Sequence, residues 1–167
     1  MFVVRYIMTK FLNQSLEYMN KKITIYTDAS NIKNSNTCKI SSIIRLEDST
    51  YTYEDFCSGT ISYAELLAVI KALEHVEKEH PPENSQIEIY TDHLPNSKLL
   101  NAILLEKSNE QTEDLNRIDI ILKRKGLSRQ DICIIPRLQS TNEINVIWLP
   151  RKENKEADRL SKWSKRS

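Results

Sequence analysis

The sequence predicts an α/β domain built on a mixed sheet, and two observations carry that expectation. The first is a repeat. Ile23-Thr24-Ile25-Tyr26-Thr27-Asp28 returns, with one change, as Ile87-Glu88-Ile89-Tyr90-Thr91-Asp92. In each copy Tyr and Asp fall on one face, and Ile and the second Thr on the other, which is the period of a strand. The β-branched and aromatic content suits a strand as well. The second observation is the segment between the copies. From Ser62 to Glu79 the apolar residues Leu66, Val69, Ile70, Leu73 and Val76 recur at helical spacing. A hairpin and a long helix between two like strands suffice for a right-handed crossover, so the repeats are expected to lie parallel and adjacent.

The elements follow in order. Lys22 to Asp28 is the first strand, and the polar run Ala29 to Thr37 is a turn. Cys38–Arg45 and Ser49–Cys57 read as two strands of a hairpin around Leu46-Glu47-Asp48. The long helix ends at Pro81-Pro82. After the second repeat, Pro95 suits the first turn of a helix that Leu99, Leu100, Ile103 and Leu104 continue. A further helix is expected over Thr112–Lys125, stopped by Gly126. Between 127 and 143 the pattern is weakest, and Ile132–Ile135 is either a short strand or a packed loop. Ile144–Leu149 is a strand closed by Pro150, and Glu153–Lys165 is a last helix with Ala157 and Leu160 facing inward. Residues 1–21 are expected to be a helical or loose extension, and 22–167 one domain.

Composition narrows the function. With 167 residues, 40% hydrophobic and 28% charged, the chain fits one domain with a core and a polar surface. The net charge of +1 excludes a protein that binds polyanions by bulk charge alone. Charge is unevenly placed, however. Residues 54–92 are acidic, while Arg151, Lys152, Lys155, Arg159, Lys162, Lys165 and Arg166 make the last stretch basic. A basic end beside an acidic, metal-loaded centre suits a phosphodiester, although a solvated charged face explains such runs too. Cys38, Cys57 and Cys133 are odd in number and lack CxxC spacing, so neither a zinc site nor a disulfide framework is expected, and a reducing compartment such as the cytoplasm is. No apolar run reaches membrane-spanning length. Met1–Asn20 is interrupted by Arg5 and too short for a secretory signal.

The chemistry lies in the carboxylates. If the repeats pair in parallel, Asp28 and Asp92 emerge at the same strand ends, where open α/β sheets place their sites. Two carboxylates held close repel, which a cation between them relieves. Each acid also has an ordinary reading. Asp28 and Asp92 could be turn residues. Glu65 has capping-box spacing from Ser62. Asp158 could pair with Lys162 at i+4 on an exposed helix face. The joint arrangement of two strand-end Asp, one helix-start Glu and one Asp in a final helix is harder to explain that way.

These residues, with TDAS at 27–30, SYAELLAVIKAL at 62–73, IYTD at 89–92 and WLPRKENKEADRLS at 148–161, resemble type 1 ribonuclease H over residues 22–165. The resemblance implies a ribonuclease H-like fold, a five-stranded mixed sheet of order 3-2-1-4-5 flanked by helices. It implies Asp28, Glu65, Asp92 and Asp158 as catalytic residues and metal ligands. The implied activity is endonucleolytic hydrolysis of the RNA strand of an RNA–DNA hybrid, leaving 5′-phosphomonoester ends. Two Mg²⁺ ions, or Mn²⁺ in their place, would sit about 3.5–4 Å apart. Asp28 would be shared between them, Asp158 would serve the ion that activates water, and Glu65 and Asp92 the ion on the leaving side. Asn34, Ser62, Arg151 and Asn154 match positions implied to bind substrate. The first two also suit a turn and a cap, Arg151 a plain surface arginine, and Asn154 the cap of the last helix.

Three departures from the family pattern stand out. The glycines usual after the first motif are missing from 35–40. The histidine-bearing GHxG loop is replaced by Pro150-Arg151-Lys152-Glu153, which resembles the short loop of a subset of the family. The tryptophan-rich basic protrusion is absent, with Lys123, Arg124, Lys125 and Arg129 as a partial substitute or simply a solvated helix end. His93 is placed opposite Asp92 if the strand continues through it. Trp148 and Trp163 are expected as core anchors. A hydrolase of this kind is expected to be a free-standing monomer without a membrane anchor. The rival readings are a non-catalytic nucleic-acid-binding module on the same fold, and a nuclease with another substrate, such as an exonuclease or a retroelement-type hydrolase.

Overall fold

The computed structural model describes residues 21–106 and 112–162. Five strands, β1 (Lys22–Asn31), β2 (Thr37–Arg45), β3 (Thr50–Ser58), β4 (Gln86–Thr91) and β5 (Glu143–Trp148), form one sheet of order β3-β2-β1-β4-β5. β1, β2 and β3 pair antiparallel, while β4 is parallel to both β1 and β5. The expected order is thus observed. The two repeats are in-register neighbours, Ile23 opposite Ile87, Ile25 opposite Ile89 and Tyr26 opposite Tyr90.

Among the described residues, five helices flank the sheet: α1 (Ile61–Glu79), α2 (Leu94–Leu105), α3 (Thr112–Arg124), α4 (Ile134–Gln139) and α5 (Lys155–Ser161). The isoleucines of β1 and β4 point toward α1 and join Leu66, Val69, Leu73 and Leu100 in the main core. On β2, Cys38 and Ile40 face α1, so alternation turns Lys39 and Ser41 to the other side, where α5 docks. That contact is largely polar. Ser41 Oγ donates to the Ala157 carbonyl at 3.1 Å and Lys39 Nζ to the Leu160 carbonyl at 2.7 Å, around a fully buried Ala157. Leu160 is only partly buried, and Trp163 lies outside the described residues.

Several local expectations change. β1 runs on to Asn31 because its antiparallel ladder with β2 continues to Asn31 opposite Cys38, whereas β4 stops at Thr91. The next turn solves its missing glycine with Asn34, whose φ of 64° is the left-handed conformation that Asn tolerates better than most residues. Thr60, not Ser62, caps α1, its Oγ1 accepting from Tyr63 N at 3.2 Å, so Glu65 lies beyond any capping box. Trp148 is not a core anchor. It ends the edge strand β5 with 45% of its surface exposed, and its indole N–H donates to the Asp92 carbonyl at 3.0 Å.

In the weak stretch 127–143, Ile132–Ile135, expected as a short strand or packed loop, is a turn that runs into the helix α4. Ile132, Ile134 and Ile135 are all 2% exposed, yet they enter the core from a turn and α4. A short apolar run alone does not separate those cases. Gly126, at φ 76°, ends α3 as expected, with Leu127 N donating back to the Leu122 carbonyl at 2.9 Å. Asn142 then fastens the return to the sheet. Its Oδ1 accepts from Ser85 N at 2.9 Å, while Nδ2 reaches the carbonyls of Leu138 and Pro82 at 3.0 and 3.2 Å. Asn142→Ala removes the partner of the Ser85 N–H and of the Pro82 carbonyl and lowers unfolding stability by roughly 2–4 kcal/mol in urea titration. An unchanged midpoint would show that the fastening is dispensable.

Candidate metal centre

The parallel register sets the site. Asp28 lies on β1 and Asp92 follows the end of β4, side by side, and the second turn of α1 brings Glu65 to them. One carboxylate oxygen from each falls within 4.8 Å of the others. Asp28 is 1% and Glu65 5% exposed, and Asp92 is partly buried. Ser161 of α5 donates to Asp28 Oδ2. Asp28 Oδ1 and Glu65 Oε2 are buried with no hydrogen-bond partner.

The electrostatics match this crowding. Burial, reinforced by Asp92 and Asp158 and opposed by the Ser161 hydrogen bond and Arg151, pushes the Asp28 pKa up to about 6. Glu65 is pushed up to about 9 by burial and then by Asp28 and Asp92, against a backbone hydrogen bond from Ala29 and the charge of Arg151. Asp92 is raised chiefly by burial. Three clustered carboxylates, two of them with orphaned buried oxygens, are costly alone and well matched to a divalent cation that takes hard oxygen ligands. Mg²⁺ and Mn²⁺ fit this donor set.

Asp158 stands at the rim, close enough for its charge to act on Asp28 and Asp92. Both its oxygens are held. Arg151 donates to Oδ1 through Nε at 3.0 Å and through its terminal nitrogen, and Lys162 binds Oδ2. Burial works to raise its pKa, but these hydrogen bonds and charges bring it below the ordinary value. The structure therefore joins three of the four expected acids and latches the fourth beside them.

The expected substrate residues separate. Arg151 is exposed at the rim, and its charge reaches Asp28, Glu65 and Asp92. Asn154 is buried and makes no side-chain cap. Instead its Nδ2 donates to the Thr27 carbonyl at 2.8 Å, tying the start of α5 to β1 beside Asp28. Ser62 lies on α1, one turn before Glu65, and accepts a hydrogen bond from Lys125. Asn34 is exposed at the β1–β2 turn, with no contact to the acids among the described residues. His93 lies past the end of β4 and caps α2, its Nδ1 accepting from Asn96 N at 3.2 Å. Lys162 is the i+4 partner expected for Asp158, whereas Ser161 on Asp28 and Lys125 on Ser62 have no local signal in the sequence. Only a correct placement of α5 and α3 could have found those two contacts.

The RNase H family profile matches residues 20–165. No curated protein sequence matches the chain. Among solved structures, RNase H1 of the halophilic archaeon Halobacterium salinarum NRC-1 is 19% identical, with a TM-score of 0.55 over 84% of this chain and 94% of its own. LC11-RNase H1, isolated from compost by a metagenomic approach, is 20% identical, with a TM-score of 0.58 over 84% and 92%. The same enzyme in complex with an RNA/DNA hybrid is 22% identical, with a TM-score of 0.55 over 83% and 92%. These likenesses establish the fold.

The raised pKa values have a signed consequence. In chelator, the stability owed to these groups is complete below their ordinary pKa values of 3.8 and 4.5. It is lost as pH climbs through about 6 for Asp28 and about 9 for Glu65. Chelated protein should therefore melt at a lower temperature at pH 8 than at pH 5, and Mg²⁺ should narrow the gap. Asp28→Asn removes one buried charge and gains roughly 1–3 kcal/mol at pH 8 without metal. A melting temperature that instead rises with pH in chelator would contradict the assignment.

Proposed function

Because the chain belongs to the RNase H family, we propose that it is a ribonuclease H. It hydrolyses the RNA strand of an RNA–DNA hybrid endonucleolytically, with divalent metal, and leaves 5′-phosphomonoester ends. The observation that carries this reading is the set of three carboxylates within 4.8 Å, two of them buried with orphaned oxygens, and a fourth at the rim. The hybrid bound to LC11-RNase H1 supports the substrate class.

Asp28, Glu65 and Asp92 would hold one cation, and Asp28 with Asp158 a second. Bound Mg²⁺, or Mn²⁺ in its place, would supply the positive charge that activates water and stabilises the leaving 3′ oxygen. The protein's own part is to bring the acids together and to exclude bulk water from Asp28 and Glu65. Ser161 orients Asp28, and Asn154 holds the backbone of Thr27 beside it. For Asp158 to take part, its pairs with Arg151 and Lys162 must open, which frees the Arg151 guanidinium for a phosphate. One chain carries all four acids, in keeping with a monomer. Free Cys38, Cys57 and Cys133 suit a reducing compartment such as the cytoplasm.

The test is cleavage of labelled RNA–DNA hybrid, duplex RNA, duplex DNA and single-stranded RNA, each with Mg²⁺, Mn²⁺ or EDTA. Metal-dependent cutting of hybrid RNA alone is expected. Asp28→Asn should reduce it by at least about three orders of magnitude, the scale on which essential catalytic groups act. Hybrid binding without cutting under any metal would make the protein a binding module. Cutting of another substrate in preference would make it a different nuclease.

A further inference from the structure

Four cations crowd the end of α3 and the segment after it, and the structure separates them. Arg129 is committed to Glu106 and Asp119. Lys123 and Arg124 point into solvent. Lys125 folds back. It is half-buried, and its Nζ donates to Ser62 Oγ on α1. Among the described residues no carboxylate pairs with it, and burial lowers its pKa. A partly desolvated ammonium whose partner is a neutral hydroxyl is poorly compensated.

Its surroundings favour an anion. Ser62 precedes Glu65 by three residues, about 4.5 Å along the helix axis. The Ser62 carbonyl accepts from Asn96 Nδ2 at 2.9 Å, which joins the N-terminal ends of α1 and α2 at this point. Both ends present positive dipole. His93 caps α2 through Nδ1, so the proton of its neutral ring is on Nε2, a donor, and the ring feels the Lys125 charge. Lys98 and Arg117 stand with Lys125 along a largely apolar groove of about 490 Å³ between α2 and α3, whose one acid among the described residues, Glu106, is paired with Arg129. The acidic centre thus has a cationic ledge on one flank, one helical turn away.

We propose that Lys125, positioned by Ser62, contacts a backbone phosphate of the hybrid, adjacent to the phosphate held at the carboxylates. This rests on the ribonuclease H reading of the centre. Lys125 becomes a substrate-gripping residue brought from α3 to the start of α1, and the ledge draws the nucleic acid across the acids that would otherwise repel it.

The test uses full-length protein carrying Asp28→Asn, so that hybrid is bound but not cut. Fluorescence anisotropy with labelled hybrid in Mg²⁺ is followed across salt concentration. Lys125→Met should weaken binding about 5–10-fold near 0.1 M salt and flatten the log–log salt slope by about 0.9, the signature of one lost phosphate contact. Lys125→Arg should keep the slope, and Ser62→Ala, which keeps the cation, should keep it as well. Thermal melts identify any variant that fails to fold. If Lys125→Met does, Lys125→Gln replaces it. An unchanged slope and affinity in a folded Lys125 variant overturns the proposal. Failure of the Asp28→Asn parent itself to bind hybrid would count against the ribonuclease H reading instead.

Discussion

The in-register parallel pairing of β1 with β4 is the constraint on which the rest depends. Ile23 opposite Ile87 and Ile25 opposite Ile89 bury the same face of both strands beneath α1. A slip of one strand by one residue would turn its isoleucine row away from α1. The same register leaves Asp28 and Asp92 as neighbours. The hydrophobic term that fixes the sheet therefore also holds two like charges together, against their repulsion.

Asp28 and Asp92 are not equivalent, despite the repeat. β2 continues alongside β1 past Asp28, so that carboxylate is sealed within the sheet. β4 ends one residue before Asp92, which stays partly open and has its backbone carbonyl braced by Trp148. One acid is locked and the other retains access. A centre that must both hold a cation and admit a substrate needs that combination.

The second sheet face is assembled by polar ties. α5 is only seven residues long, too short to be stable through its own hydrogen bonds. It is held by Ser41, Lys39 and Asn154 and by the seating of Ala157, and in return it supplies Ser161 to Asp28 and carries Asp158. Each tie serves docking and site together. The cations Arg151 and Lys162 offset the acidic centre from the rim through Asp158.

The sequence by itself determined the strand pair, the crossover helix, the stop at Gly126 and the four acids. These are written in short-range periodicity and in a repeat whose partner is its own copy. It left 127–143 open, because the short apolar run Ile132–Ile135 fits a strand or a helix until its neighbours are known. Capping-box spacing misplaced the cap at Ser62, since Thr60 two residues earlier offers the same hydroxyl. Trp148 pointed to the core by size alone, yet it lies on an edge strand. Only the tertiary structure decided that Asn154 grips Thr27, that Asp158 is latched while three acids converge, and that Lys125 turns inward onto Ser62. The contacts of Lys125 with Ser62 and of Asn154 with Thr27 join residues 63 and 127 positions apart, and no local pattern encodes which distant group meets a given side chain.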